Sequence, residues 1–485
     1  MLRRLSFGLL LLASAGAFSQ FLGSAPPPAH LAQGFHAIRT EDVKTWISYL
    51  AGPECAGRGT GQDGYQKAAE YVAARFKEFG LKPVGAEGTY FQNVPFVRTE
   101  VDVAQSHLEV AGVRLPFGGE LTMDGVVSDF EAEGGVVFVR GSVTDSETLR
   151  GRVVLFDGEM SRETRIALQR AQPAAVFTLS DSVGAAEPRI SAAGRGPRQG
   201  RPSGRISRAA AERLASAAGV SLPTEEMGAT MLVTPATAKV VAKVKSTEVG
   251  VPNVVGLLEG SDPVLKEEVV GIGAHLDHLG TRGDVVYYGA DDDASGSTAL
   301  IAVAKALSSN PTLPKRSILF IAFCGEEMGL IGSRYYTDNP LIPNEKMICH
   351  LQMDMVGRNE ESETEPASEN GDTIHLVGSK RLSSELHALV LAMNRHVNFR
   401  FEYDEEDVFS RSDHVNFHNK GIPVAFLFDG FHPDYHQPSD TVDKINLEKI
   451  ANAARLFYLV AFEAANRDAP FKKDSGGAAS KEKAA

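Results

Sequence analysis

Between Val269 and Asp293 the chain reads VVGIGAHLDHLGTRGDVVYYGADDD. An apolar run ends in His275, Asp277 and His278, and the aspartates Asp291 to Asp293 follow a glycine-containing loop. Imidazoles and carboxylates together supply the nitrogen and oxygen donors that borderline to hard divalent cations take, zinc above all. Aspartate is also favoured at helix N-caps and in first turns. The next stretch, ASGSTALIAVAKAL, has helical spacing, with Ala299, Leu300, Val303 and Leu307 on one side. One cap needs one aspartate, so three in a row with His275 and Asp277 upstream favour a metal site.

The elements that must position these groups repeat one design. RSILFIAFC is followed by Gly325, Glu326 and Glu327, KMICHLQM by Asp354, and IPVAFLF by the loop DGFHPDYHQPSDT with His432 and His436. Apolar runs bounded by Gly and charge predict buried strands. Alternating with helical patterns from Pro252 onward, they predict an open α/β sheet, whose sites form outside the carboxyl ends of the strands. Unrelated surface charges would fall at both strand ends, whereas here all fall at one. Glu326 and Glu327 are adjacent and must point differently if the strand direction persists. One can hold a metal while the other faces a water, which is the division of labour that metal-assisted hydrolysis needs.

The rest of the chain is of other kinds. Residues 1–19 place Arg3 and Arg4 before a short apolar core and then small residues around Ala13, Ala15 and Ala17, the layout of a secretory signal peptide. A Pro-rich spacer, SAPPPAH, precedes two helical patterns, TEDVKTWISYLAG and DGYQKAAEYVAARFKEFG. Between them CAGRGTGQDG reads as a plain Gly-rich loop, without the Lys and Ser/Thr arrangement of a phosphate cradle. From about Glu100 to Glu248 short β-type runs (GGVVFVRG, RVVLFDGE, AAVFTLSD, AKVVAKVKS) and one helix, SRETRIALQRAQ, predict a separate β-rich insert. Within it Arg195, Arg198, Arg201 and Arg205 stand among Gly and Pro and read as a solvated loop. The tail KKDSGGAASKEKAA has no apolar periodicity and predicts disorder. The expected division is therefore a signal peptide over 1–19, a first catalytic part over 35–98, the insert over 99–248, a second catalytic part over 249–466 and a disordered tail over 467–485.

A net charge of -13 argues against nucleic acid as a partner, and 43% hydrophobic residues in a chain of 485 suffice for a sizeable core. Cys55, Cys324 and Cys349 cannot form a disulfide framework, and Cys324 and Cys349, lying in apolar runs, read as core residues.

The second half resembles peptidase family M28, the zinc aminopeptidases. The pieces that carry the resemblance are HLDH at 275–278, GADDDASG at 289–296, AFCGEEMGLIGS at 322–333, MDM at 353–355, SDH, and HPDYHQPSDT near the end. AGRGTGQDGYQKAAEYVAARF and GTYFQNVPF are similar too, and the insert resembles a protease-associated domain. The resemblance implies an α/β fold of the zinc-peptidase, phosphorylase/hydrolase-like kind, a mixed, mostly parallel twisted sheet flanked by helices. It implies two Zn²⁺ bridged by Asp292, one completed by His275 and Asp354, the other by Glu327 and His436, with Glu326 as general base and Asp277 receiving the second imidazole nitrogen of His275. Tyr435 is expected to touch substrate, His278 and His432 stay outside the ligand set, and the Asp292–Asp293 peptide is expected to be cis. The implied activity is a secreted or periplasmic aminopeptidase acting on peptides with a free N-terminus, without stable membrane association once the signal is removed. Glutaminyl cyclase, carboxypeptidase or a receptor-like, non-catalytic protein on the same scaffold are the alternatives.

Overall fold

The computed structural model describes residues 20–143, 146–184, 186, 188–194, 202–362, 365–403 and 406–474. The expected signal peptide, the distal tail and Arg195, Arg198 and Arg201 lie outside them. The chain divides into two compact units, one of residues 1–94 with 252–485, the other of 95–251.

The first unit holds the four strands foreseen from the apolar runs, Val269–His275, Ser317–Phe323, Met347–Met353 and Val424–Phe428, and three more that were not. In chain order they are β1 (Val244–Leu258, whose later part belongs here), β2 (Val269–His275), β3 (Ser317–Phe323), β4 (Met347–Met353), β5 (Thr373–Val377), β6 (Arg400–Glu402) and β7 (Val424–Phe428). They lie in the order β6-β5-β7-β4-β2-β3-β1. The centre, β3-β2-β4-β7, is parallel throughout, while β1 runs antiparallel to β3 and β5 antiparallel to β7. Every residue of β2, β3, β4 and β7 is buried, which is why these runs are continuously apolar instead of alternating. The helices are α1 (Thr40–Leu50), α2 (Asp63–Glu78), α3 (Ala294–Ser309), α4 (Ile331–Asp338), α5 (Ser384–Asn394), α6 (His414–Asn419) and α7 (Leu447–Asn466). α3 packs against α1 and α7, and α7 also packs against α5; α3 and α7 are buried nearly all round, as their low polarity demands.

Gly271 and Gly273 in β2 show how tightly this sheet is covered. A Cβ at either would stand 2.8 Å from the ring of His350 on β4. That ring is fully buried and stacked on Phe417 of α6 at 3.8 Å between centroids. Burial holds His350 down to about 4, against the opposing hydrogen bond with Gln352. A base whose folded pKa lies below its unfolded value leaves the folded state binding fewer protons, so stability falls as pH drops from about 6.5 toward 4. His414, also pulled well down by burial first and then by the charges of His350 and His418, acts in the same direction. His350→Gln is therefore expected to flatten the acid limb of the stability curve, read as urea midpoints across pH 4 to 7. An unchanged slope would remove His350 as a contributor.

The second unit contains an eight-stranded sheet whose centre, Phe130–Arg140, Val153–Asp157, Ala175–Ser180 and Ser203–Ser207, is parallel. The strands predicted from its apolar runs are present, as is the helix Arg162–Ala171; a second helix, Arg208–Ala217, was not foreseen. Its two faces carry separate clusters, Leu108, Phe138, Leu155 and Phe177 on one and Val137, Val139, Phe156 and Leu168 on the other.

The expected disorder over 467–485 needs correction in its first part. Residues 467–474 are ordered against α5. Phe471 is 5% exposed beneath the Arg467 guanidinium, and Asp474 accepts from the Ser384 amide at 2.7 Å. One aromatic anchor with two ion-paired or capping side chains suffices where periodicity is absent. The Pro-rich spacer is also docked, since Phe21 meets Phe399 edge-on and His396 bonds the Pro26 carbonyl.

Candidate metal centre

The parallel strands end on one rim, and β2 delivers His275 as its last residue. The three aspartates before α3 divide the work. Asp293 is the N-cap: its Oδ1 accepts from the amides of Gly296 (2.8 Å) and Met355 (3.1 Å), and its Oδ2 from the amide of His275 (3.1 Å). It therefore ties the ends of β2 and β4 to the first turn of α3. Asp291 accepts from the Gly357 amide at 2.8 Å and meets His432 at 3.2 Å. That leaves Asp292 to face the rim, across an Asp292–Asp293 peptide that is cis.

Asp292 presents one oxygen to each of two groups. His275 Nε2 lies 3.1 Å from Asp292 Oδ1 and 3.3 Å from Asp354 Oδ1. His436 Nε2 lies 3.0 Å from Asp292 Oδ2 and 3.2 Å from Glu327 Oε2. Two donors each about 2.0–2.1 Å from a tetrahedral zinc are roughly 3.3 Å apart, so these separations are those of ligands sharing an ion. His278, which was kept out of the ligand set, also arrives here. Its Nδ1 is 2.8 Å from Glu327 Oε1 and 3.6 Å from Asp292 Oδ2, and its ring is completely buried. Among the described residues, His275–Asp292–Asp354 and His278–Asp292–Glu327 are two donor groups close enough to hold an ion; Glu360–His375–Glu402 is a third, which shares no residue with them. His436 Nε2 lies within 3.2 Å of both Asp292 and Glu327, whereas His278 Nδ1 is close to Glu327 alone. His432, engaged with Asp291, stays outside.

The electrostatics demand positive charge. Burial lowers His275, yet Asp354, Glu326 and Asp292 overcome it and hold the imidazole well above its usual range. Burial likewise lowers His436, but its hydrogen bonds with Asp292 and Glu327 and their charges outweigh burial and raise it to about 10. Without a cation, protons on imidazoles must neutralise the carboxylates. Divalent ions do so while satisfying the same donors, and the mixed nitrogen and oxygen set fits zinc.

Glu326 sits beside this cluster and is pushed well up, by burial first and by Asp354, Asp413 and Glu327, with His275 opposing. It borders a pocket whose other walls include Met355, Val408, Phe428, Phe431 and Tyr435. Tyr435 stacks on the His436 ring at 3.9 Å, and its hydroxyl accepts from Arg411 at 3.3 Å. Asp277 departs from expectation. Its carboxylate is 3.9 Å from His275 Nδ1, and the main-chain carbonyl of Asp277 takes that nitrogen at 2.9 Å. The side chain turns away because it has stronger local donors, the Thr60 hydroxyl at 2.8 Å and the Glu326 amide at 3.1 Å.

The loop read as plain is part of the site. Arg58, 0% exposed, donates to the carbonyls of Leu50, Leu276 and Tyr288 at 2.8 Å each and of Gly289 at 2.7 Å, with Asp292 O at 3.4 Å. It thus links the end of α1 to the main chain after β2 and before α3. Gly57, at φ 75, lets the loop approach, since a Cβ there would fall 2.1 Å from the Tyr287 carbonyl. A lone Arg among glycines was the available signal.

A family model described as peptidase family M28 matches residues 253–461. A probable leucine aminopeptidase of Arthroderma otae is 26% identical over 212 residues, 42% of this chain and 56% of that protein. Aminopeptidase YwaD of Bacillus subtilis is 28% identical over 228 residues, 44% of this chain and 45% of that protein. The chain thus spans about half the length of the curated relatives it matches. The solved structure of BSAP, a zinc aminopeptidase from Bacillus subtilis, superposes with a TM-score of 0.55 at 19% identity over 88% of this chain and 95% of that one, a likeness of fold. His275, Asp292, Glu327, Asp354 and His436 all fall within 253–461, so the part of the chain that brings these donors together is the part that matches the model of peptidase family M28.

Proposed function

We propose that this chain is an exported dinuclear zinc aminopeptidase that removes N-terminal residues from peptides. The observation that carries the reading is the bifacial placement of Asp292, one oxygen toward His275 and Asp354, the other toward His436 and Glu327. Its relatives named as aminopeptidases support the reaction class. The layout of residues 1–19 supports export, and among the described residues no helix is long and apolar enough to cross a membrane.

Zinc, when bound, supplies Lewis acidity and an acidified water. The side chains do the rest. His275 and Asp354 would hold one ion and Glu327 and His436 the other, with Asp292 offering an oxygen to each side. Glu326 takes the proton of the attacking water and hands it to the departing amine, a transfer that needs a carboxylate beside the cluster and not committed to it. Met355, Val408, Phe428 and Phe431 offer an apolar wall to a substrate side chain, and Tyr435 stands at its edge.

The test is a panel of aminoacyl chromogenic substrates and N-blocked peptides, assayed with and without chelator beside zinc analysis. Hydrolysis confined to free amino termini, lost on chelation, regained with zinc and accompanied by two zinc per chain is expected. Cleavage of N-blocked peptides, or activity indifferent to chelation, would overturn the reading.

A further inference from the structure

The segment 56–62 touches the metal-centre loops at successive residues. The His278 amide donates to Arg58 O at 3.2 Å, Gly59 and His278 form a parallel bridge, and Thr281 donates its hydroxyl to Ala56 O and its amide to Gln62 Oε1. Arg58 serves main-chain carbonyls. Thr60 does something different: its hydroxyl donates to Asp277 Oδ2 at 2.8 Å, and the other oxygen of that carboxylate accepts from the main-chain amide of Glu326 at 3.1 Å. Asp277 is 0% exposed and Thr60 only 8%.

We infer that Thr60 is a positioning residue for the general base, acting through Asp277 on the backbone of Glu326. The inference rests on the reading of Glu326 as that base. A carboxylate is planar, and donors at both oxygens fix its rotation about the Cβ–Cγ bond. With the Thr60 hydroxyl removed, Oδ2 loses a donor in a site closed to solvent, and the Asp277 plane turns to find another. Oδ1 then leaves the line to the Glu326 amide. Glu326 follows the first residues beyond β3, where no ladder partner holds its amide, so this bond fixes where its side chain starts. The metal-side donors do not use the Asp277 carboxylate: Glu327 meets His278 and His436, and His275 Nδ1 meets the main-chain carbonyl of Asp277, which rotation about Cβ–Cγ leaves in place. Loss of Thr60 therefore displaces the proton acceptor and spares metal and substrate binding. A displacement near 1 Å in a reacting group costs about 10²-fold in rate.

The experiment compares Thr60→Val, Thr60→Ala and Thr60→Ser in the full zinc-loaded chain. Thr60→Val and Thr60→Ala should lower kcat about 10- to 100-fold with KM within about threefold. Zinc content should match the parent, and Thr60→Ser should recover most of the rate. The separating measurement is the pair Thr60→Val with Glu326→Gln. If Thr60 works through Glu326, adding Thr60→Val to Glu326→Gln costs less than about threefold more. An unchanged kcat in Thr60→Ala, an equal loss in both backgrounds, or a loss that tracks zinc content overturns the inference. Full activity of Glu326→Gln alone would instead overturn the base assignment, whatever Thr60 does.

Discussion

Glu326→Gln is expected to lose about 10²- to 10⁴-fold in kcat while keeping its fold and zinc. Gln has nearly the same shape, still packs against the pocket wall and cannot take a proton. The two proposed ion positions do not use Glu326: their close contacts run among His275, Asp292 and Asp354 on one side and His436, Glu327 and Asp292 on the other. The contrast is between adjacent residues, since Glu327 reaches His436 at 3.2 Å and His278 at 2.8 Å, committing both its oxygens. KM should change little, because the apolar wall of Met355, Val408, Phe428 and Phe431 is untouched. Steady-state kinetics beside metal analysis decides it. A variant with kcat within tenfold of the parent would place the base elsewhere, and one that loses zinc would make Glu326 a ligand.

What the sequence disclosed and what it hid divide along a physical line. Strands β2, β3, β4 and β7 were legible because burial on both faces makes them apolar throughout, and a ligand-type residue at the end of each or in the loop that follows stands out. The row Asp291 to Asp293 announced a site without disclosing its division of labour. Cap, second anchor and rim-facing carboxylate are distinguished by partners such as Met355 and Gly357, more than sixty residues on. Asp277 was assigned to His275 by proximity in sequence, and the stronger donors, Thr60 and the Glu326 amide, lie 217 and 49 residues away. His278 was set aside because the resemblance places the last ligand at His436 and a loop histidine is more often solvated, whereas its ring is buried against Glu327. The helix Arg208–Ala217 escaped notice for a local reason: its alanines follow a stretch of Arg, Gly and Pro that reads as loop. The loop around Arg58 was the hardest to read, since its partners are carbonyls and every residue carries one.

That invisibility makes Arg58→Met the more consequential substitution for the fold. Two effects oppose each other. A buried guanidinium pays for lost hydration, and burial does pull Arg58 below its usual pKa, with Asp293, Asp292 and Asp440 among the groups resisting; on that count an apolar side chain would help. Against it stand the carbonyls of Leu50, Leu276, Tyr288 and Gly289, held at 2.7 to 2.8 Å. Each acceptor stranded without water costs about 1–3 kcal/mol, so four outweigh the relief, and a net loss of about 3–5 kcal/mol is expected. Because Leu276 follows His275 and Gly289 shortly precedes Asp292, the loss falls on the loops that aim the ligands, and zinc affinity should drop about 10- to 100-fold as for other groups that orient a ligand from behind. Arg58→Lys keeps the charge but offers three donors in no fixed fork, so it cannot span both loops and α1 and should fall between parent and Arg58→Met. Urea unfolding of the zinc-free chains reads the first effect, and zinc titration at a temperature where all three are folded reads the second. If Arg58→Met unfolds within about 1 kcal/mol of the parent, less than one stranded carbonyl would cost, the loop that looked plain in the sequence is plain after all.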